Sequence, residues 1–138
     1  MAIRIRRAKD HEIDEITELD RKILAASNPY PDTEFWGAWE GEELVGYAGC
    51  RLPAEWPGYC FMSRSGVIER CRGQGLQKRL IRVRRAFAKK SGCKSVLTYT
   101  MPDNAASMNS LISCGFKTYD PENPYLGEAK VVYCRLTL

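Results

Sequence analysis

The feature that most constrains this fold is a run near the middle of the chain, in which a β-type segment passes through two glycines into an amphipathic helix. Residues before Glu69 follow a strand pattern, and apolar residues recur at helical spacing after Gly75. Gly73 and Gly75 lack a Cβ, so the backbone can turn freely there and approach a ligand closely. The first N–H groups of the helix are unpaired and lie at the positive end of its dipole. This strand–turn–helix unit indicates an α/β fold and can hold a diphosphate.

Cations surround the two glycines, and two common phosphate motifs are excluded. Arg70, Arg72, Lys78 and Arg79 add positive charge around the turn. A dinucleotide-binding fingerprint needs a third glycine where this chain has Lys78, and a P-loop needs a Gly-Lys-Ser/Thr end that the run lacks. From these residues alone two interpretations stay open: a phosphate-binding turn, and a plain strand–turn–helix unit with a solvated basic helix.

Hydrophobic periodicity predicts the element order β-α-β-β-β-α-β-α-β-β, an α/β sandwich with a mixed sheet. One helix follows Asp10, its expected cap; a second begins near Leu76; a third follows Asp103 or Asn104 and stops at Gly115. Prolines make residues 27–32 a predicted loop. The predicted strands are the segment around Ile3 and Ile5 and residues 35–39, 44–51, 59–69, 95–100, 116–119 and 131–136.

Length and composition indicate one domain, which we assign to residues 1–138. No apolar run approaches the roughly 20 residues that a membrane span needs. The first residues alternate instead of forming a signal-peptide core, so we expect a cytoplasmic location. The six cysteines form no Cys-x-x-Cys pair, and His11 is the only histidine. We therefore expect free, mostly buried thiols and no metal site.

Two motifs, in the right order and spacing, resemble those of the GNAT superfamily of acyl-CoA-dependent N-acyltransferases. Val67 followed by Arg72-Gly73-Gln74-Gly75-Leu76 is similar to its motif A, with Gln77 in place of the last small residue. Pro102-Asp103-Asn104-Ala105-Ala106-Ser107, followed by Gly115-Phe116, is similar to its motif B. The resemblance covers nearly the whole chain. It implies a mixed, mostly antiparallel central sheet of six to seven strands, flanked by helices and splayed between strands 4 and 5.

The resemblance also implies the cofactor and the residues that hold it. Acetyl-CoA would be the acyl donor, with its pantetheine arm along the end of the fourth strand and its pyrophosphate on the amides of residues 72–77. Asn104 and Ser107 would meet the other side of the pantetheine, and the Val67 amide would stabilise the oxyanion. The cofactor-binding residues implied in this way are Val67, Ile68, Glu69, Arg72, Gly73, Gln74, Gly75, Leu76, Gln77, Lys78, Asn104 and Ser107.

The proton-transfer groups that many family members use are replaced here. Tyr99 stands where a glutamate is expected, and Leu111 stands where a tyrosine general acid is expected. An amine with a pKa of about 10.4 must lose its proton before attack, so Tyr99 (through a water), Ser65 and Glu69 are the candidate catalytic groups. Tyr99 also fits plain aromatic packing on a strand, and Glu69 also fits an ion pair with a neighbouring arginine.

Charge is segregated along the chain. Between Arg64 and Met101 the only acid is Glu69, whereas most of the acids lie in residues 10–43. In the family arrangement the basic half faces the cofactor and the acidic half borders the acceptor. That arrangement favours a cationic amine acceptor, and an acidic surface that only keeps the protein in solution is the alternative.

The sequence thus predicts an N-acetyltransferase that moves an acetyl group from acetyl-CoA directly to a primary amine of a small molecule or a protein. A non-catalytic acyl-CoA-binding module of the same fold is the alternative. Nucleic-acid binding through the basic helix from Lys78 to Lys90 is disfavoured, because that helix has little aromatic interleaving and the other half of the chain is acidic. Domains of this family often dimerise, which leaves a homodimer open.

Overall fold

The computed structural model describes residues 2–24 and 32–138, whose elements follow the predicted order. The helices are α1 (Ile13–Leu24), α2 (Leu76–Lys90) and α3 (Ala105–Ser113). Short 3-10 turns, Asp10–Glu12 and Glu69–Cys71, precede α1 and follow the fourth strand. The strands are β1 (Ile3–Arg7), β2 (Glu34–Glu40), β3 (Glu43–Arg51), β4 (Tyr59–Val67), β5 (Ser95–Thr100), β6 (Lys117–Thr118) and β7 (Val132–Thr137).

The strands form one mixed sheet in the order β1-β2-β3-β4-β5-β7-β6. Neighbouring strands are antiparallel except β4 and β5, which are parallel. Helix α1 covers one face around Ile16 and Tyr47, whereas α2 and α3 cover the other face around Leu80 and Val96. The predicted fold, a mostly antiparallel mixed sheet flanked by helices, is therefore confirmed.

Strands β4 and β5 separate soon after they begin. Residues 59–61 pair with residues 95–97, and Phe61 with Leu97 is the last pair. Beyond it β4 continues to Val67 and β5 to Thr100 without pairing to each other. A gap therefore opens between the carboxyl ends of the two strands, which confirms the predicted splay between strands 4 and 5.

A β-bulge interrupts β4 beside this gap. The register of β3 against β4 shifts between Ala48 and Gly49, which leaves Arg64 without a partner on β3. Arg64 reaches α1 instead, where its Nε and Nη2 lie 2.8 and 2.7 Å from the carboxylate of Asp20. The same carboxylate accepts a hydrogen bond of 2.6 Å from the buried hydroxyl of Tyr47. The bulge thus ties the last turns of α1 to the strand that borders the gap.

Arg84 on α2 satisfies carbonyls beside the bulge. Its Nη1 donates to the carbonyls of Gly49 (3.1 Å) and Ser63 (3.2 Å), and its Nε donates to Leu80 within the helix (3.1 Å). The side chain is 2% exposed, and burial lowers its pKa to about 10. A buried cation here is held by backbone dipoles, since all three acceptors are carbonyl groups.

The end of β4 differs from the prediction. The strand stops at Val67 rather than Glu69, because residues 69–71 turn into a 3-10 helix closed by a hydrogen bond of 3.1 Å from the Arg72 amide to the Glu69 carbonyl. Ile68 leaves the strand while its amide donates to the Val45 carbonyl at 2.9 Å. Glu69 is therefore a turn residue, not a strand residue.

Two smaller features also differ. Asp10 is not a helix cap: a 3-10 turn starts there, and Glu12 accepts a hydrogen bond of 2.8 Å from the Lys9 amide. The sixth strand has only two residues, Lys117–Thr118, although the Tyr119 amide still donates to the Tyr133 carbonyl of β7 at 3.0 Å. The predicted loop at residues 27–32 lies outside the described residues except for Asp32.

Within residues 2–24 and 32–138, no helix has the length and apolar character required to cross a membrane. The same residues contain no group of three or more side chains that could hold a metal ion. All cysteines but Cys93 are buried, which confirms the predicted burial of the thiols.

Candidate functional site

A cleft of about 810 Å³ fills the gap between β4 and β5 and continues to the start of α2. Its walls come from the last turn of α1, the two splayed strands, the turn before α2, and the first turns of α2 and α3. Most of the residues singled out in the sequence line it: Ser65, Val67, Arg72, Gly73, Gly75, Leu76, Gln77, Lys78, Tyr99, Asn104 and Ser107.

The turn before α2 is open on its ligand side. Gly73 and Gly75 have φ of 76° and 78°, in the left-handed region that favours glycine. A Cβ added at either position would meet nothing within 4 Å, so both glycines face free space. Helix α2 starts at Leu76, and the first backbone bond back to the turn runs from the Arg79 amide to the Gly75 carbonyl at 3.2 Å. In the described part of the chain, the amides from Gly73 to Lys78 are thus free to bind an anion at the positive end of the helix.

Arg72 connects this turn to the end of β4. Its Nε donates to the Val67 carbonyl at 3.0 Å, and its own amide donates to the Glu69 carbonyl. Its amide is therefore not free for a phosphate, in contrast to the expectation for residues 72–77. Arg72 lines the cleft, and the N–H groups of its guanidinium other than Nε can bind a phosphate.

Three implied cofactor residues do not line the cleft: Ile68, Glu69 and Gln74. The Ile68 amide is already bonded to β3, and the Gln74 side chain donates back to the Arg70 carbonyl at 3.3 Å. Two cations near the turn also point elsewhere. Arg70 pairs with Glu40 (2.8 Å) and Glu43 (2.5 Å), and Arg79 donates to the Ile3 carbonyl at 2.8 Å.

Helix α3 forms the opposite wall. Asn104, one of the two predicted caps, caps this helix. Its Oδ1 accepts a hydrogen bond of 3.0 Å from the Ser107 amide. The cap leaves the Asn104 NH₂ group free to donate into the cleft. Ser110 also lines the cleft, one turn after Ser107, and was missed in the sequence. Ser110 lies three residues after Ser107 on a predicted helix, and this spacing indicates that both side chains share one helix face.

The charged groups of the cleft are all cationic. In the described ranges no Asp or Glu lines it, whereas Arg64, Arg72, Lys78 and Arg84 do. Residues 25–31, which the structure does not describe, contain no Asp, Glu or His. Arg64 is neutralised by Asp20, but Arg84 has no carboxylate partner among the described residues.

The acids of the N-terminal half are mostly used in ion pairs. Those paired with arginines are Glu12, Glu18, Asp20, Asp32, Glu34, Glu40, Glu43 and Glu55. The acidic border that the sequence suggested is thus largely neutralised by local arginines, and its described carboxylates lie outside the cleft.

Comparisons with known proteins agree with this geometry. Residues 3–116 match the family model described as the acetyltransferase (GNAT) family. No curated protein matches the chain significantly in sequence. Among solved structures, the ribosomal-protein-S18-alanine N-acetyltransferase of Escherichia coli is similar, with a TM-score of 0.79 at 14% identity. The superposition covers 99% of this chain and 94% of the Escherichia coli chain.

Two further structures were solved with the cofactor. YncA of Salmonella typhimurium, with its cofactor acetyl-CoA, has a TM-score of 0.78 at 19% identity and covers 100% of this chain and 95% of its own. A Bacillus subtilis acetyltransferase in complex with CoA has a TM-score of 0.71 at 19% identity and covers 99% of each chain. At such identities these structures support the fold alone. Together with the family match over most of its length, they show that this chain belongs to the acetyltransferase (GNAT) family.

Proposed function

We propose that this protein is an N-acetyltransferase that transfers an acetyl group from acetyl-CoA directly to a primary amine. The observation that carries the proposal is one continuous cleft, which joins an open, glycine-lined helix start to the gap between two splayed strands. The first end suits a pyrophosphate, and the second suits an extended pantetheine arm. Family membership and relatives solved with acetyl-CoA or CoA favour the same ligand.

Each wall of the cleft has a distinct role in this proposal. The amides of Gly73 to Lys78 and the Arg72 guanidinium bind the pyrophosphate. The pantetheine lies between β4 and α3, where the Asn104 amide group and the Ser107 hydroxyl can hydrogen-bond to it. The Val67 amide donates to the thioester oxygen as negative charge develops on it, an interaction worth roughly 3 kcal/mol in other enzymes.

Proton removal in this cleft does not rely on a carboxylate. Because Arg84 is a buried cation without a carboxylate partner among the described residues, an ammonium group is disfavoured nearby and the neutral amine is the form that binds. After the amine nitrogen attacks the thioester carbon, the C–S bond breaks, and the proton lost from the nitrogen passes through Ser65 or water to the departing CoA thiolate, which leaves an amide and the free thiol. Glu69 is a weaker candidate because it lies outside the cleft, and Tyr99 is a wall residue whose hydroxyl has no hydrogen-bond partner in the described part of the chain.

A non-catalytic acyl-CoA-binding module is the second candidate. The observation that favours it is Leu111, which is 4% exposed and apolar at the position where the family often places a tyrosine acid. Turnover separates the two: thiol release that depends on an added amine supports the enzyme, and tight acetyl-CoA binding without release for any amine supports the module.

The site itself is tested by replacing Gly75 with Glu. A glutamate there fills the open turn and repels a phosphate, so we expect acetyl-CoA to lose its stabilising effect in thermal unfolding. For the native chain, ligand at about 100 times its Kd adds roughly 2.7 kcal/mol.

Gly92→Glu is the matched control. Gly92 has a φ of 83° and lies after the other end of α2, and a Cβ added there would also meet nothing within 4 Å. Both variants carry the same charge and a similar backbone cost of about 1 to 2 kcal/mol. If acetyl-CoA stabilises the two folded variants equally against thermal unfolding, the phosphate site is rejected. ATP is the ligand control and should stabilise neither variant.

A further inference from the structure

Two aromatic rings stand where β4 and β5 separate. Phe61 belongs to the last residue pair between the strands, and Tyr99 follows on β5 just beyond it. Both rings line the cleft, stacked with centroids 6.3 Å apart and planes 20° apart. Tyr99 is 38% exposed, so much of its ring is available to a ligand.

Packing behind these rings holds the wall in place. Trp56 and Tyr125 contact the ring of Phe61 at centroid distances of 5.9 and 5.7 Å, near edge-on. The Tyr125 hydroxyl donates to the Thr98 carbonyl on β5 at 3.1 Å, which fixes this group to the splayed strand. An aromatic surface that is already ordered loses little conformational freedom when a ligand binds.

Apolar side chains from other elements line the same cleft as the two rings. Ile23 and Leu24 from α1 and Met101 after β5 also line the cleft, and Leu24 and Met101 are 44% and 51% exposed. Exposed large apolar side chains at a cleft mark a binding surface better than scattered ones do. A methionine thioether makes favourable contacts with an aromatic ring, so Met101 can contribute to binding a ring in this cleft.

Charge argues against a polycationic acceptor at this surface. The cleft has cationic side chains and, in the part of the chain that the structure describes, no carboxylate to attract a second ammonium group. A polyamine would bring further uncompensated positive charge into a cleft whose described charged residues are all cationic. An amine whose remaining bulk is neutral avoids that repulsion.

We propose that the acceptor is a primary amine joined by a short linker to an aromatic ring, and that this ring lies against Tyr99 while the amine points toward β4. This inference rests on the proposed acetyl transfer and specifies its second substrate. Tyr99 is then a specificity residue, and its ring, not its hydroxyl, matters.

The test compares three amines in thiol-release assays with acetyl-CoA: phenylethylamine, cyclohexylethylamine and spermidine. We expect the highest kcat/KM with phenylethylamine, because only its ring can stack. Tyr99→Ala should raise KM for phenylethylamine about threefold to tenfold, the effect of one lost ring contact, with kcat nearly unchanged. Tyr99→Phe should behave as the native chain.

Tyr119→Ala is the matched control, since Tyr119 packs on Tyr133 and lies outside the cleft. Calorimetric titration of phenylethylamine into the CoA-loaded protein gives a readout that does not need turnover. The proposal is overturned if spermidine is the better substrate, if Tyr99→Ala binds phenylethylamine as well as Tyr119→Ala does, or if phenylethylamine does not bind. If spermidine is acetylated, the acceptor proposal fails but the proposed acetyltransferase activity stands. If the protein does not bind acetyl-CoA, the proposed acetyltransferase activity fails too.

Discussion

Glu12 is an acid whose ionisation depends on the fold. Its carboxylate accepts hydrogen bonds of 2.8 and 2.7 Å from the Arg6 guanidinium and one of 2.8 Å from the Lys9 amide. These donors, the Arg6 hydrogen bond first, lower the pKa of Glu12 to about 2. The interaction joins β1 to the turn that begins α1.

Glu12→Gln should therefore make stability less sensitive to acid. A carboxylate with a lowered pKa stabilises the fold fully above its unfolded pKa of about 4.3, and that contribution disappears as pH falls toward 2. We expect the variant to be less stable than the native chain at pH 7 and the difference to shrink below pH 5. Urea unfolding across this range measures it, and Glu15→Gln, on an exposed carboxylate of α1, is the control. A difference independent of pH would show that charge is not the cause.

The sequence predicts some individual residues of the cleft and not others. Gly73 and Gly75 are recognisable because only glycine adopts their backbone conformation easily, and that requirement is local. Arg84 is not recognisable, because its role depends on carbonyls of two strands that are distant in the chain. In the sequence it is one more cation of a basic helix.

Among the elements, β4 depends on its bulge and on α2. The bulge interrupts the ladder beside Arg64, and Arg84 donates to carbonyls from both strands at that place. A buried carbonyl without a donor costs as much as a lost hydrogen bond. Helix α2 thus stabilises the strand that borders the cleft through a polar contact as well as through its apolar face.

Arg84→Met should destabilise the protein by roughly 2 to 4 kcal/mol, because it leaves two buried carbonyls without a donor while keeping side-chain bulk. Urea unfolding measures this, with Arg85→Met, on an exposed neighbour, as the control. If the fold survives, the amine should also be less easily deprotonated in the variant. A stability equal to that of Arg85→Met would show that water replaces the guanidinium at no cost.

The elements themselves were predictable to within a few residues, with informative exceptions. The glycine turn, the apolar periodicity of α2 and the cap at Asn104 are local signals, and the structure bears them out. The end of β4 was placed too late because Ile68 continues the β pattern, although its amide bonds to Val45 while the chain already turns. The 3-10 turn at Glu69–Cys71, closed by the hydrogen bond from the Arg72 amide to the Glu69 carbonyl, sets that boundary.

For the whole molecule, charge pairing overrides charge composition. The N-terminal half is rich in acids, which suggested an acidic acceptor border, but arginines spread over the chain neutralise most of them. Pairs such as Arg70 with Glu40 join residues far apart in sequence, so composition by segment could not reveal them. The cleft is left with cations alone among its described charged residues.

This arrangement predicts the pH dependence of the reaction. Without a carboxylate base among the described residues of the cleft, log kcat/KM should rise with a slope of about one from about pH 6 to 9, as the neutral fraction of the free amine grows. Initial rates with an amine substrate over this range give the profile. A plateau beginning near pH 7 would indicate a protein base and contradict the proposal, and Ser65→Ala distinguishes a relay at that hydroxyl from solvent.

The short pairing of β4 with β5 has a consequence for folding and local opening. Strands β1 to β4 form consecutive antiparallel pairs, while β5, β6 and β7 form a second group, and three residue pairs of backbone join the two. Few backbone hydrogen bonds therefore hold the two groups together, and the shared core and helix α2 supply the rest of the contact between them. A ligand bound between β4 and β5 adds contacts across this junction, so we expect its occupancy to slow hydrogen exchange of the β5 amides.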